Sequence, residues 1–376
     1  MFVAKPRSAL VYITNQCNLD CRHCAPRAGV DVIEKTALMD ADKLTTIIQR
    51  CHAAGIDYVS LTGGEPLLFK ALPTVLQRTR AYGLKISINS NLTFLPKWIE
   101  TLLAQGLIYE FCVSIDGAKA ETHDRLRGKG NFDKTVSNIG RLKEMARRHG
   151  QPLKVSFTTV PTAYNFSELD DIVALAVKLG AEQIQFEHLG LSGNADLHAD
   201  ELVLDGQDLL DAYCAIMGHI LSEHPPAVRS NMITNAFIEY YNALHGTDVS
   251  YKYFGCTSPQ RFIYISYDGC VAPCSAMTDQ IVGQSTGAHS QALDLMENAL
   301  ESIFDSAPMR DFVQQKTSIE LQRQITPCGT CKFLGNFCSP CISQVLLGHE
   351  ADFTLCRQSL SARSQLPQDR LLEAPS

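Results

Sequence analysis

Long apolar runs are missing from this 376-residue chain. None reaches the ~18 residues of a membrane-spanning helix. The opening stretch, MFVAKPRSALVYITNQC, has no apolar core of the secretory kind. Basic excess is also missing. Lys and Arg number 33 against 40 Asp and Glu, for a net charge of −7, which excludes broad, salt-driven nucleic-acid binding. There is no internal repeat and no low-complexity tract. A composition that is 45% hydrophobic and 19% charged is that of an ordinary globular protein, and the length fits two or three domains.

What is abundant is cysteine, with fourteen in the chain. With no export signal, the chain is expected in the reducing cytoplasm, where cysteine clusters read as metal ligands or redox groups rather than disulfides. Their distribution is uneven. Cys17, Cys21 and Cys24 are bunched near the start, and Cys51, Cys112 and Cys214 are scattered singly. Cys256, Cys270, Cys274, Cys328, Cys331, Cys338, Cys341 and Cys356 occupy the last third. The three isolated cysteines lie in helical or strand patterns and read as small buried hydrophobes.

From residue 9 to about 190 the hydrophobic period alternates between two and 3.6. Strand-like runs fall at 9–14, 57–62, 85–89, 111–115, 153–160 and 183–187. Amphipathic helical stretches fall near 40–54, 70–82, 96–105, 133–149 and 166–179. This alternation predicts right-handed βαβ units and a parallel sheet. Six units make an open or partial (β/α)6 barrel, since a closed eight-unit barrel needs ~250 residues. Residues 191–205 read as a polar loop, followed by helices near 206–222 and 231–245. From 256 the texture changes to short strands, turns and closely spaced cysteines, with one helix over 294–315. The expected organisation is therefore an α/β barrel over 1–190, a helical bridge over 191–250, a small cysteine-rich α+β domain over 251–360 and a disordered tail over 361–376.

Cys17, Cys21 and Cys24 directly follow the first predicted strand, at its carboxyl end, where parallel α/β proteins place their chemistry. Three thiolates within eight residues can hold a 4Fe–4S cube and leave one iron open to a non-protein ligand. A structural zinc would need a closed set of four ligands. His23, between Cys21 and Cys24, is poorly placed to be the fourth.

A C-x3-C-x2-C loop after the first strand resembles the radical S-adenosylmethionine (radical SAM) superfamily. The second predicted strand ends in Gly63-Gly64-Glu65-Pro66, similar to that family's GGEP segment, which receives the amino group of S-adenosyl-L-methionine (SAM). Glycines permit close backbone approach, and a carboxylate accepts an ammonium. The resemblance implies that Asn91 and Ser114, at the next two strand ends, present polar groups to the cosubstrate. It likewise offers Arg127, in the run His123-Asp124-Arg125-Leu126-Arg127-Gly128, as the partner of a carboxylate. For Asn91 and Ser114 the alternative is turn-forming and capping duty; for Arg127 it is a solvated surface position. His23 stands where the family usually has an aromatic residue.

The late cysteines resemble the SPASM extension of radical SAM proteins, with the third cysteine of the second group displaced by one residue, to Cys338. By that resemblance Cys256, Cys274 and Cys341 hold one auxiliary cluster, and Cys328, Cys331, Cys338 and Cys356 hold the other. Cys270 is the remaining candidate ligand, although four residues of extended strand between it and Cys274 span about 13 Å, a long reach for one cube. The rival reading is paired zinc knuckles at Cys328/Cys331 and Cys338/Cys341, whose six-residue spacer is shorter than the ~15–20 expected.

The resemblance implies three 4Fe–4S clusters, reductive cleavage of SAM to a 5′-deoxyadenosyl radical, and hydrogen abstraction from a substrate. It also implies an external one-electron donor of flavodoxin or ferredoxin type. The expected substrate is a ribosomally made precursor peptide; the alternative is a sugar, antibiotic or cofactor precursor. A non-catalytic electron carrier is a third reading, against which the GGEP segment argues. Ser275 stands where sulfatase-maturing relatives carry an aspartate base, which disfavours that activity. Cys17 lies too near the N-terminus for a fused leader-binding domain, so any leader is expected to need a separate binding protein or the barrel itself. Neither nucleic acid nor membrane is an expected partner. No residue stands out as the catalytic proton or hydrogen-atom partner; Tyr12, Glu187, His188 and Cys270 qualify by location.

Overall fold

The computed structural model describes residues 6–26, 39–222, 224–231, 233–250, 259, 261–274, 293–326, 328–334 and 354–366. Cys256, Ser275, Cys338, Cys341 and the tail from 367 lie outside the described residues.

The strand–helix alternation read from the sequence is present. β1 (Ser8–Thr14) leads to α1 (Ala41–Ala53), then β2 (Tyr58–Gly63), α2 (Leu72–Arg78), β3 (Lys85–Ser90) and α3 (Ile99–Ala104). β4 (Glu110–Ser114) is followed by α4 (Ala120–Arg127) and α5 (Asn131–Arg148), and β5 (Lys154–Thr159) by α6 (Leu169–Leu179) and β6 (Gln183–Phe186). Within the stretch read as a polar loop lie two short helices, α7 (Gly193–Leu197) and α8 (Ala199–Leu202). Then come α9 (Gly206–Leu221), β7 (Ala227–Ser230) and α10 (Asn235–His245).

All these strands pair in parallel and in sequence order. The sheet then takes in two strands from the cysteine-rich region. β8 (Phe262–Ile265) pairs in parallel with the free side of β1, and β9 (Val271–Ala272) turns back antiparallel to β8. The result is one open, nine-stranded sheet of order β7-β6-β5-β4-β3-β2-β1-β8-β9. The sheet therefore extends past the six expected strands at both edges. β7 is only four residues long and alternates too weakly to stand out between the two helices. Further differences follow from local chemistry. The helix read over 294–315 is broken into Leu300–Phe304 and Ala307–Thr317, with a proline in the first turn of the second, where proline starts a helix rather than continuing one. The final helix, Thr354–Ser364, runs into the stretch expected to be disordered.

Strand alternation sorts the side chains into two faces. Ala9, Val11, Ile13, Val59, Leu61, Ile86, Ile88, Phe111, Val113, Val155, Phe157, Ile184 and Phe186 are buried in one apolar core. The intervening positions are largely polar: Tyr12, Ser60, Asn89, Cys112, Ser114, Ser156, Thr158 and Gln185. One face of the sheet thus packs against helices such as α1, through Leu44, Ile47, Ile48 and Cys51, while the other carries hydrogen-bonding groups. Burying ~13 aliphatic and aromatic strand side chains, at about 1.5–3 kcal/mol each, fixes which face is which.

Candidate active site

β1 ends at Thr14, and the cysteine loop begins there. Its backbone lies directly against the end of β2. Gly64 N–H donates to Thr14 O at 2.6 Å, and Glu65 N–H to Gln16 O at 2.7 Å. A Cβ on Gly63 would stand 2.1 Å from Thr14 O, and one on Gly64 would stand 2.0 Å from Gln16 O. Gly63 also has φ +132°, a region that L side chains rarely adopt. The two glycines therefore serve first to seat the cysteine loop against β2.

Glu65 is fully buried. One carboxylate oxygen accepts from Leu67 N–H and Ser90 Oγ, both at 2.9 Å, and the other from Asn91 N–H at 2.9 Å. A carboxylate has about four acceptor positions, so three internal donors leave one for an ammonium. Burial raises its pKa to about 7, against the lowering effect of those donors.

Asn91 is committed on both ends of its amide. Its oxygen accepts from Thr93 N–H at 2.9 Å and Thr93 Oγ1 at 2.7 Å. Its nitrogen donates to Asn18 Oδ1 at 3.0 Å and lies 3.9 Å from Cys17 Sγ. Asn18 in turn donates to Thr93 Oγ1 at 2.8 Å. The residue expected to face the cosubstrate thus braces the cysteine loop against the end of β3. Asn18 and Thr93 escaped the sequence reading; the N-x-T spacing from Asn91 to Thr93 was the available signal, because an Asn side chain readily bonds two residues on. Ser114 is half-buried at the end of β4, on the polar face, and its hydroxyl has no hydrogen-bond partner among the described residues.

Arg127 is not at a solvated surface position: its side chain is largely buried and meets the internal carboxylate of Asp116. Its Nε donates to Asp116, which is wholly buried, its Nη2 stands 3.2 Å from His23 Nε2, and its Nη1 lies 4.0 Å from Cys21 Sγ. Asp116 also faces His23 at 3.2 Å and accepts from Val160 N–H at 2.8 Å. Burial alone would raise the Asp116 pKa, but Arg127 and His23 hold it far below the ordinary carboxylate range. His123, on the same helix as Arg127, accepts from Asp116 N–H through Nδ1 at 3.3 Å, and burial pushes its pKa down to about 4. His23, Asp116, Arg127 and His123 thus form one buried polar group behind the cysteine loop.

Among the three thiols Cys21 is buried, and Cys17 and Cys24 are partly so. Burial raises the pKa of Cys17 and of Cys21 to about 11. Cys17 lies within electrostatic range of Cys24, and Cys21 of Cys17, while Arg127 lowers both. Three converging thiols, a guanidinium 4.0 Å from one and an amide 3.9 Å from another suit a thiolate-bound iron–sulfur cluster, whose sulfurs accept such hydrogen bonds.

Cys328, Cys331 and Cys356 form a second group. Burial pushes the pKa of Cys328 to about 11, with Cys356 and Cys331 adding to the rise, and Cys331 also raises that of Cys356. Glu239 on α10 ties their elements together, accepting from Lys332 Nζ and from Arg363 Nη2, the latter at 3.1 Å. Cys274 is half-buried just after β9. Cys270 sits apart from them in the β8–β9 hairpin. The charged groups that act on it are Asp268, Asp294 and Lys43; its expected co-ligands Cys256 and Cys341 lie outside the described residues. No three described His, Cys, Asp or Glu side chains stand as close as a single ion requires; a cube, whose thiolates sit on separate irons, takes a wider set.

A parallel α/β sheet with a three-thiol loop at the end of its first strand, and a second thiol group beyond the sheet, defines an iron–sulfur protein of the βα-barrel kind. Its sequence matches the profile of the radical SAM superfamily over residues 11–176 and that of the SPASM iron–sulfur cluster-binding domain over 256–332. The chain belongs to the radical SAM superfamily, with a C-terminal SPASM domain, and is a SAM-dependent iron–sulfur enzyme. Among curated proteins it is 29% identical over 280 residues to the AdoMet-dependent heme synthase of Methanosarcina barkeri, covering 72% of this chain and 76% of that one. It is also 29% identical over 205 residues to the GTP 3′,8-cyclase of Synechocystis, covering 54% of this chain and 60% of that one. Among solved structures, Streptococcus suis SuiB bound to S-adenosylmethionine superposes with a TM-score of 0.68 at 16% identity, over 94% of this chain and 78% of that one. The protein anSMEcpe with bound AdoMet and the Cp18Cys peptide gives 0.64 at 16%, over 98% of each. These two likenesses establish the fold. No described helix is long and apolar enough to cross a membrane.

Proposed function

We propose that this chain modifies a ribosomally made peptide. Cys17, Cys21 and Cys24 would hold a SAM-binding 4Fe–4S cluster. Cys256, Cys274 and Cys341 would hold a first auxiliary cluster, and Cys328, Cys331, Cys338 and Cys356 a second. Such a cluster, with SAM and an electron from a flavodoxin- or ferredoxin-type donor, would supply the one-electron reductive chemistry from which a hydrogen-abstracting radical is made.

The protein's own residues do the positioning. Gly63 and Gly64 seat the loop, and the remaining acceptor position of Glu65 takes the cosubstrate's ammonium. Ser114 offers a hydroxyl from the polar face of the sheet. Asn91 and Arg127 act on the thiolates, through a hydrogen bond and a positive charge. The observation that carries the peptide reading is the likeness over nearly the whole chain to SuiB, which has been crystallised with its precursor peptide SuiA, and to anSMEcpe with bound peptide. The curated GTP 3′,8-cyclases and heme synthase support the alternative of a small-molecule substrate.

Anaerobic reconstitution tests the reading. About twelve irons per chain are expected at four per cube, with 5′-deoxyadenosine formed from SAM and dithionite. Replacing Cys17, Cys21 and Cys24 together by alanine should abolish cleavage and leave the auxiliary iron in place. A mass change in a short peptide encoded beside the gene separates peptide from small-molecule chemistry; GTP consumption with no peptide product would refute the proposal.

A further inference from the structure

One cavity lies at the carboxyl ends of β5 and β6. It measures about 70 Å³ and is walled by Pro161, Leu189, Leu191, Leu209, Tyr213 and Leu355, with Val203 and Leu204 on the loop before α9. Leu355 belongs to the helix that carries Cys356. The opposite wall leads back to the first cysteine loop. Leu189 and Leu191 pack with Leu126, whose carbonyl accepts Arg22 N–H at 3.0 Å. Just beyond them, Asn194 N–H donates to Cys24 O at 3.0 Å, and Asn194 Nδ2 to Cys21 O at 3.1 Å. The cavity therefore stands between the two groups of thiols.

Its polar members are Glu187, His188 and Thr354. Glu187 N–H donates to Thr159 O at 2.9 Å, which carries the β5–β6 ladder one residue past the strand. Strand alternation puts Glu187 on the same face as Gln185, opposite the core residue Phe186. One of its carboxylate oxygens is held by Asn231 Nδ2, and the other has no hydrogen-bond partner among the described residues. Burial raises its pKa, against the lowering effect of Asn231 and His188.

We infer that this cavity receives one aliphatic side chain of the substrate peptide, with the adjoining backbone N–H donated to Glu187. The inference rests on the peptide reading above. Size and chemistry decide the class. Whole small molecules occupy pockets of ~300 Å³ and more, and ~150 Å³ is room for a benzene ring. A cavity of about 70 Å³ takes the tip of a single aliphatic chain. Its walls are mainly apolar and its one acidic member is Glu187, so a carboxylate tip would lose its hydration without return. The free oxygen of a fixed, half-buried carboxylate selects a hydrogen-bond donor and repels a second carboxylate. Glu187 is thus a binding residue that sets register.

The test uses the reconstituted holoenzyme and three probes: the N-acetyl methylamides of leucine, aspartate and tryptophan. Saturation-transfer NMR should report the leucine probe and neither of the others. Glu187→Gln should weaken the leucine probe at least threefold. Leu209→Trp and Val203→Trp, which fill the cavity from different sides, should each remove its signal, their folding being followed by melting curves. The proposal falls if the aspartate probe binds as well as leucine, or if the leucine probe gives no signal on enzyme that cleaves SAM. It falls equally if a folded cavity-filled variant binds leucine as the parent does. Should the enzyme leave SAM intact yet bind leucine in a manner lost in Val203→Trp, the functional reading fails and the cavity assignment survives.

Discussion

Arg127 Nη1 stands 4.0 Å from Cys21 Sγ while the Nε of the same guanidinium holds the buried carboxylate of Asp116. One planar cation thus joins the end of β4, helix α4 and the first cysteine loop. The geometry suits arginine and not lysine, because only a guanidinium presents several donors in a fixed fork. It also means that the positive charge beside the thiols is positioned by a carboxylate.

Arg127→Ala should therefore destabilise the iron-free protein strongly. It leaves Asp116 ionised with no buried counter-charge apart from His23, and losing one partner of a buried pair costs about 3–5 kcal/mol. The double variant Asp116→Asn, Arg127→Met should lose less than half as much, since no charge is stranded. Urea unfolding of the three proteins measures both. The Asp116 pKa is depressed in the folded state, so its stabilisation is present above its unfolded value and is lost as pH falls below that. Arg127 also helps to lower the pKa of His123, and burial alone would raise that of Asp116, so the gap between parent and Arg127→Ala should be widest near pH 8 and narrow as the pH falls toward 5. A gap that widens as the pH falls through that range would assign the effect to another group.

Gly63→Ala and Gly64→Ala should each displace the cysteine loop. The added Cβ meets backbone oxygens at 2.1 and 2.0 Å, and backbone cannot swing aside as a side chain can. Iron analysis after reconstitution is expected to show loss of about four irons, with the auxiliary complement retained. Retention of the full iron content with weakened SAM binding would instead mean that the glycines serve the cosubstrate alone.

Much of this arrangement was legible in the sequence. Strand–helix alternation gave β1 to β6 because one face of each strand is continuously apolar, and the three thiols fell at the end of β1 because that loop follows Ile13 and Thr14 directly. The roles of Asn91 and Arg127 were not legible, because they depend on partners 73 residues away at Asn18 and eleven away at Asp116. No periodicity encodes such pairings. A short strand is legible after residue 256, but the place of β8 beside β1 is not, for a related reason: it declares itself only through register with residues some 254 positions earlier.

Glu65 should make stability pH-dependent in the absence of SAM. Its folded pKa of about 7 lies above the ordinary 4.5, so the folded state holds a proton that the unfolded state releases. Stability then falls as pH rises from about 4.5 to 7 and is level above that, with a full span of roughly 3 kcal/mol at 1.36 kcal/mol per pKa unit. Glu65→Gln should remove this slope. It should also be less stable than the parent at pH 5, because its amide nitrogen faces either Asn91 N–H or the donors Leu67 N–H and Ser90 Oγ, and an unmatched buried donor costs about 1–3 kcal/mol. Denaturant titrations at several pH values check both, and equal slopes for the two proteins would rule Glu65 out as the titrating group.

Glu239 offers the corresponding test on the auxiliary side. Its carboxylate joins Lys332, which follows Cys331, to Arg363, two turns beyond Cys356 on the final helix. Among the described residues its other oxygen and Arg363 Nε are buried without a hydrogen-bond partner, so the Nη2 contact is what holds this pair. Lys332 is largely exposed and contributes little, because surface pairs are worth about 0–1 kcal/mol. Arg363 is 26% exposed, and leaving it unpaired costs more. Glu239→Ala should lower stability by about 1–3 kcal/mol, discounted from the figure for a fully buried pair. Its sharper effect should be kinetic. With Cys328 and Cys331 no longer tied to Cys356, a chelator should strip auxiliary iron several-fold faster, while iron at Cys17, Cys21 and Cys24 leaves at the parent rate. Equal acceleration at both sites would mean that the variant loosens the whole fold and that Glu239 has no particular hold on the second thiol group.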